Sequence, residues 1–156
     1  MEQLTDTELF VALEGEGNSV AVLVKHLAGN MRSRWTDFLT SDGEKSNRDR
    51  DREFDFPQPV TRAELMETWE TGWSTLFGAL APLSDKDLPT KVLILGEPHS
   101  VMQAINRQLA HYAHHVGQIV FLAKHLHAHD WKTLSVPRGK SSAFNRAVAE
   151  GKASQR

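Results

Sequence analysis

Gln108-Leu109-Ala110-His111-Tyr112-Ala113-His114-His115-Val116-Gly117-Gln118-Ile119 lies in the middle of the longest run of helical periodicity in the chain. Imidazoles at i and i+4 are about 40° apart around an α-helix and one turn apart along it, so two of them reach a single ion. This spacing makes the stretch half of a metal site.

Phase decides which histidines pair. Counting about 100° per residue, Val101, Ile105, Leu109, Tyr112, Val116, Ile119, Val120, Ala123 and Leu126 fall in one arc expected to face a core. His111 and His115 border that arc, whereas His114 points away from it and reads as a flanking residue. The same spacing also occurs in pairs of half-buried histidines that simply hydrogen-bond their neighbours.

Outward from this stretch, the long helix is expected to open at Gly96-Glu97-Pro98, with proline and His99 in its first turn. It is expected to end around His127 to Asp130, where His125, His127 and His129 suit the negative end of the helix dipole. Lys91 to Leu95 reads as a short strand. Thr61 and Glu64 form a capping box for a helix from Arg62 to about Ala81, with a core seam of Leu65, Met66, Trp69, Trp73, Leu76, Phe77 and Leu80. Further back, Asn18 or Ser19 caps a helix running to about Thr40, with Val20, Leu23, Val24, Leu27, Met31, Trp35 and Phe38 on its apolar face. His26 sits at the border of that face and supplies the third imidazole that His111 and His115 lack. Asn30 and Arg34 follow it at i+4 and i+8, either as a solvated helix edge or as substrate contacts.

Thr5 and Glu8 form another capping box, for a short helix that Gly15 and Gly17 follow. Between the first two long helices, Ser41 to Pro59 breaks the pattern, with a turn at Asp42-Gly43 and alternating charges from Arg48 to Glu53 before Phe54 and Phe56. Mixed charge of this density reads as a solvated loop rather than a binding patch. Its length is nevertheless that of lids and partner contacts. After Leu134 come the loop Val136-Pro137-Arg138-Gly139-Lys140-Ser141, a weak helix from Ser142 to Glu150 and a polar end. The expected division is a helix bundle over 1–134 and a tail over 135–156.

Composition narrows the function. A chain of 156 residues that is 40% hydrophobic suits one domain with a sizeable core. A net charge of -2 with dispersed Lys and Arg gives no nucleic-acid footprint. No signal peptide and no apolar run of about 20 residues is visible, so a cytoplasmic protein that does not enter membranes is expected. With no cysteine, any metal must sit on histidines and carboxylates.

Three long amphipathic helices joined by short turns give an all-α, up-down antiparallel bundle, and bundles build metal sites from facing helices. Three neutral imidazoles leave a divalent ion its full charge and open positions, the arrangement of a catalytic rather than a structural site. Tyr-Ala-His stands between His111 and His115 where zinc proteases carry the Glu of H-E-x-x-H, so peptidase chemistry drops down the list.

His26-Leu27-Ala28-Gly29-Asn30-Met31-Arg32-Ser33-Arg34-Trp35, Asp42-Gly43-Glu44-Lys45, Gly96-Glu97-Pro98-His99, His115-Val116-Gly117-Gln118-Ile119 and Pro137-Arg138-Gly139-Lys140-Ser141 together resemble one branch of the DinB-like superfamily. That superfamily also holds YfiT-type bacillithiol S-transferases and mycothiol-dependent isomerases. The resemblance covers about Leu4 to Asn145, and Val-Gly-Gln after the second histidine is its most specific part. It implies a four-helix bundle, zinc or nickel on His26, His111 and His115, and frequent homodimers. It also implies a long first helix, here shortened or missing, and the expectation is that the start is truncated or that a second subunit or the C-terminal tail covers the face left open.

The leading expectation is therefore a metal-dependent enzyme that transfers a low-molecular-weight thiol to a small-molecule electrophile, with Asn30 and Arg34 as candidates to orient an anionic substrate. The alternatives are a non-catalytic metal- or ligand-binding stress-response bundle and a metal-assisted hydrolase.

Overall fold

The computed structural model describes residues 1–56 and 59–154. Pro57, one of two prolines closing the long loop, and the last two residues of the polar end lie outside them. The described residues are mostly helical, with one small hairpin: α1 is Asp6–Phe10, α2 Val20–Trp35, α3 Arg62–Leu80, β1 Lys91–Ile94, β2 Glu97–Ser100, α4 Val101–Leu126 and α5 Ser141–Ala149. A 3-10 turn at Asp51–Phe54 interrupts the long loop. None of the described helices is long and apolar enough to cross a membrane.

The first four helices begin where side chains can satisfy free backbone donors. Thr5 with Glu8, Thr61 with Glu64 and Ser100 with Gln103 close capping boxes, and the Ser19 hydroxyl accepts from the Val22 amide. α2 stops at Trp35, short of the expected Thr40, and Asp37 then turns the chain at a φ of 49°.

α2 is the centre of the molecule, because 13 of its 16 residues are buried. It packs broadly on α3, and α4 crosses it in the opposite direction, placing His115 near His26 and Tyr112 near Trp35. Leu23, Leu27 and Met31 of α2 form the core with Leu65 and Leu76 of α3 and with Val101, Ile119 and Leu122 of α4. Because so much of α2 is enclosed, His26, Asn30, Ser33 and Arg34 are buried along with its apolar residues. The burial of Asn30 and Arg34 excludes a solvated helix edge at those positions.

Two corrections concern α4. It starts at Val101 rather than at Gly96, because Glu97–Ser100 pairs with Lys91–Ile94 as an antiparallel hairpin. The two-residue turn has φ 54° at Leu95 and 76° at Gly96, the double left-handed pattern that suits strand twist. Pro98 faces Leu93, one step beyond the Ile94–Glu97 pair that closes the turn. In a two-residue hairpin that is a non-hydrogen-bonded position, so the missing N–H costs no ladder bond. His99 consequently lies on β2, not in a helical turn.

The second correction is rotational. The buried side of α4 is turned roughly 45° from the centre of its apolar arc, toward His111 and His115, leaving Leu109 65% exposed; Phe121, which lies outside that arc, is 67% exposed. Val116 and, on α3, Phe77 are exposed as well. Periodicity identified the apolar side of each helix, but α3 and α4 cover only part of it.

Asp42 pins the hairpin turn, accepting from the amides of Leu95 (2.9 Å), Gly96 (2.7 Å) and Glu44 (2.7 Å). The Gly43 amide adds a bond to the Leu93 carbonyl at 2.8 Å. Leu95 thus holds a conformation that costs an ordinary side chain about 1–2 kcal/mol, and it is exposed. Leu95→Asn, which creates the Asn-Gly pair such turns favour, is expected to raise stability by about 1 kcal/mol in urea unfolding; an unchanged midpoint would show that the turn carries no such cost.

Candidate metal centre

Three imidazoles from two helices meet between α2 and α4. His26, His111 and His115 each offer a ring nitrogen, all within 4.8 Å of one another. His26 is buried and the other two are half-buried. The His26 and His111 rings face each other through Nε2 atoms 3.4 Å apart. Two nitrogens bound tetrahedrally to one zinc ion, each at about 2.05 Å, stand about 3.4 Å apart. The spacing therefore fits a shared cation, and the cluster can hold a metal ion.

Outer residues fix how these rings are turned. His26 Nδ1 lies 2.9 Å from Glu53 Oε2, so the carboxylate accepts from Nδ1–H and the lone pair on Nε2 is turned toward His111. His115 Nδ1 lies 2.7 Å from Gln118 Oε1, three residues along the same helix. Carboxylate or amide acceptors behind ligating imidazoles set the tautomer and raise the basicity of the inward nitrogen.

Glu53 is held in its turn by Arg48, whose Nε and Nη2 each donate to it at 2.8 Å. Arg48 Nη1 donates to Glu44 at 3.0 Å, and Arg34 Nη2 reaches the same carboxylate at 3.4 Å. Burial alone raises the Glu53 carboxyl, but hydrogen bonds from His26 and Arg48 outweigh it and hold the group below its ordinary value. Burial likewise depresses the Arg48 guanidinium, and its bonds to Glu53 reverse that into a net rise. Gly29 makes room for this pair, since a Cβ there would overlap the Glu53 carboxylate.

The charged run from Arg48 to Glu53 is thus not uniformly solvated. Asp49, Arg50 and Arg52 point into water, whereas Glu53 is 6% exposed and the Arg48 side chain 7%. Lys25 latches the segment from below by donating to the carbonyls of Arg52 and Asp55, and Phe54 lies 4.8 Å from the His26 ring. Sequence reasoning missed Arg48 and Glu53. The available signal was a long charged run ending against Phe54 and Phe56, which gives such a loop an apolar anchor.

Asn30 and Arg34 are both buried, yet Asn30 Oδ1 and Arg34 Nε and Nη1 have no partner among the described residues. Burial pulls the Arg34 guanidinium down, only partly offset by Glu44. His114 is exposed, as expected for a flanking residue. A cleft of about 520 Å³ is lined by Leu13, Leu23, Phe121 and Leu122 together with Glu16, Asn18, His114 and Gln118, the last of which also bonds His115. A larger hollow of about 640 Å³ borders Arg48 and Glu53, and none of the three imidazoles lines it.

Burial, followed by repulsion from His115 and His26, pushes His111 down to about 4. Burial also lowers His115, partly offset by Gln118. Near neutrality both rings are therefore uncharged and ready to donate lone pairs. In the metal-free chain, an unfolded histidine protonates near 6.5 while folded His111 waits until about 4. The unfolded state holds the extra proton in that window, so stability falls as pH is lowered from 6.5 toward 4. Thermal unfolding of the metal-free protein across this range is expected to show that decline, and His111→Gln to flatten it.

A family model described as a protein of unknown function, DUF1572, matches residues 1–140. No curated protein and no solved structure matches the chain.

Proposed function

The chain belongs to the DUF1572 family, and from its three-histidine cluster we propose a divalent-metal-dependent enzyme that transfers a low-molecular-weight thiol to a small electrophile. The observation that carries this reading is the convergence of His26, His111 and His115, with a buried carboxylate fixing His26 so that its bare nitrogen faces His111. The resemblance to the DinB-like superfamily supports the same trio.

Zinc or nickel suits an all-imidazole donor set. When bound, the ion would supply Lewis acidity, lowering the pKa of a coordinated thiol or water. The chain's own residues do the rest. His26, His111 and His115 would hold the ion without cancelling its charge. Arg34 is the candidate to orient an anionic thiol, through its unpaired Nε–H and Nη1–H, and Asn30, whose unpaired Oδ1 accepts, is the candidate to receive a donor group of the same molecule. The cleft lined by Leu13, Leu23, Phe121 and Leu122 suits an apolar acceptor. In the transfer, the thiol sulfur forms a bond to the acceptor's electrophilic carbon, the leaving group departs with its electron pair, and the thiol proton passes to solvent. The sulfur belongs to the co-substrate, because the protein has no cysteine.

Metal-assisted hydrolysis is less well served. The nearest carboxylate, Glu53, is committed to His26 and Arg48 and is not free to act as a general base. His111→Ala is expected to abolish metal retention, measured by elemental analysis, and thiol-dependent turnover in an electrophile screen, with an unchanged circular dichroism spectrum. Retained metal or turnover in that variant would overturn the reading. If chelation lowers the melting temperature of the wild type but no thiol or ester substrate is turned over, the protein is a non-catalytic metal-binding bundle.

The homodimer implied by the resemblance has a suitable surface. Met102, Asn106, Leu109, Ala113, Val116 and Val120 form one uncharged stripe along α4, pointing away from the imidazoles. An uncharged stripe can meet its own copy across a two-fold axis without like-charge repulsion. Light scattering at micromolar concentration is expected to give a dimer for the wild type and a monomer for Leu109→Asp. A monomeric wild type would exclude this surface as a stable interface.

A further inference from the structure

Two of the three imidazoles carry an acceptor on the nitrogen turned away from the cluster, Glu53 for His26 and Gln118 for His115. His111 is the exception, because its Nδ1 is buried and has no partner among the described residues. One turn earlier on α4, Gln108 is 3% exposed, and its Oε1 is likewise buried without a partner. Two complementary polar atoms are thus left unpaired at an i, i+3 spacing, which makes side chains neighbours on a helix surface.

We propose that Gln108 is the third positioning residue of the metal centre, its amide oxygen accepting from His111 Nδ1–H when His111 commits Nε2 to the cation. The inference rests on the metal reading above. Without an ion, the lone pair on His26 Nε2 favours a proton on His111 Nε2, 3.4 Å away, and leaves His111 Nδ1 as the bare nitrogen. An ion that claims Nε2 puts the proton on Nδ1, and that N–H then needs an acceptor inside the protein. Gln108 mirrors Gln118, with one amide three residues before its histidine and the other three residues after. Asn30 Oδ1, also unpaired, is the competing acceptor, but it comes from α2 on a shorter side chain.

The test is zinc affinity of the full chain, measured by competition with a chromophoric chelator, together with imidazole nitrogen–proton spectra of the zinc-loaded protein. Gln108→Leu is expected to weaken zinc about 10–100-fold, the usual effect of removing such an outer partner, while metal-free thermal unfolding stays near the wild-type value. Gln108→Glu, which keeps an acceptor, is expected to restore the affinity. The wild-type spectrum is expected to show three Nδ1–H signals, one of which shifts in Gln108→Leu. If Gln108→Leu does not fold, the affinity of Gln108→Glu and the wild-type spectrum still decide. Equal zinc affinity in wild type and folded Gln108→Leu, or a loss found in Asn30→Ala instead, overturns the role of Gln108 and leaves the metal site standing. A wild type that takes up no zinc overturns both.

Discussion

The bidentate contact between Arg48 and Glu53 is the constraint on which the centre of this molecule depends. A carboxylate taken out of water must be paired, and breaking such a pair typically costs several kcal/mol. Here the carboxylate meets Arg48 through two bonds and His26 through a third. Among the described residues, the loop that carries them has only one short 3-10 turn of its own. It is held on α2 by this pair, by Lys25 and by the Ser33 hydroxyl, which bonds to the Gly43 carbonyl and the Lys45 amide. α2 is enclosed on a side that α3 and α4 leave open because this irregular segment lies over it.

The same pair sets the electrostatics of the imidazole cluster. Glu53 and Glu44 balance Arg48 and Arg34, and the imidazoles whose charge is displaced are displaced toward neutrality. A cation placed among the histidines would meet lone pairs and no uncompensated negative charge, so its own charge would remain available to a ligand. The acceptors behind the rings differ, with a buried carboxylate on His26 and a neutral, more exposed amide on His115. The deepest ring thus has the strongest base behind it.

Much of this was legible in the sequence, for physical reasons. Capping boxes at Thr5 and Thr61 and the Ser19 cap depend only on neighbours along the chain, so those helix starts are found where the pattern puts them. The imidazole trio could be read because helical phase places His26, His111 and His115 at the edges of apolar faces. Pro98 misled because proline is equally at home in a first helical turn and at a non-bonded strand position. The choice was made by two left-handed residues, and Leu95-Gly96 does not announce that turn as Asn-Gly would. Alternating charge from Arg48 to Glu53 carries no mark of which members turn inward. That depends on α2 offering His26 above a residue without a side chain, which is a tertiary fact.

The bare backbone of Gly29 beneath the Glu53 carboxylate has a consequence for how the chain tolerates change. Any larger residue at 29 would evict the acid from behind His26, and an acid removed from 53 would leave Arg48 facing an unfilled notch. The two positions are therefore expected to behave as a single mutational unit across 23 intervening positions. A larger residue at 29 is accommodated only if the side chain at 53 shrinks with it.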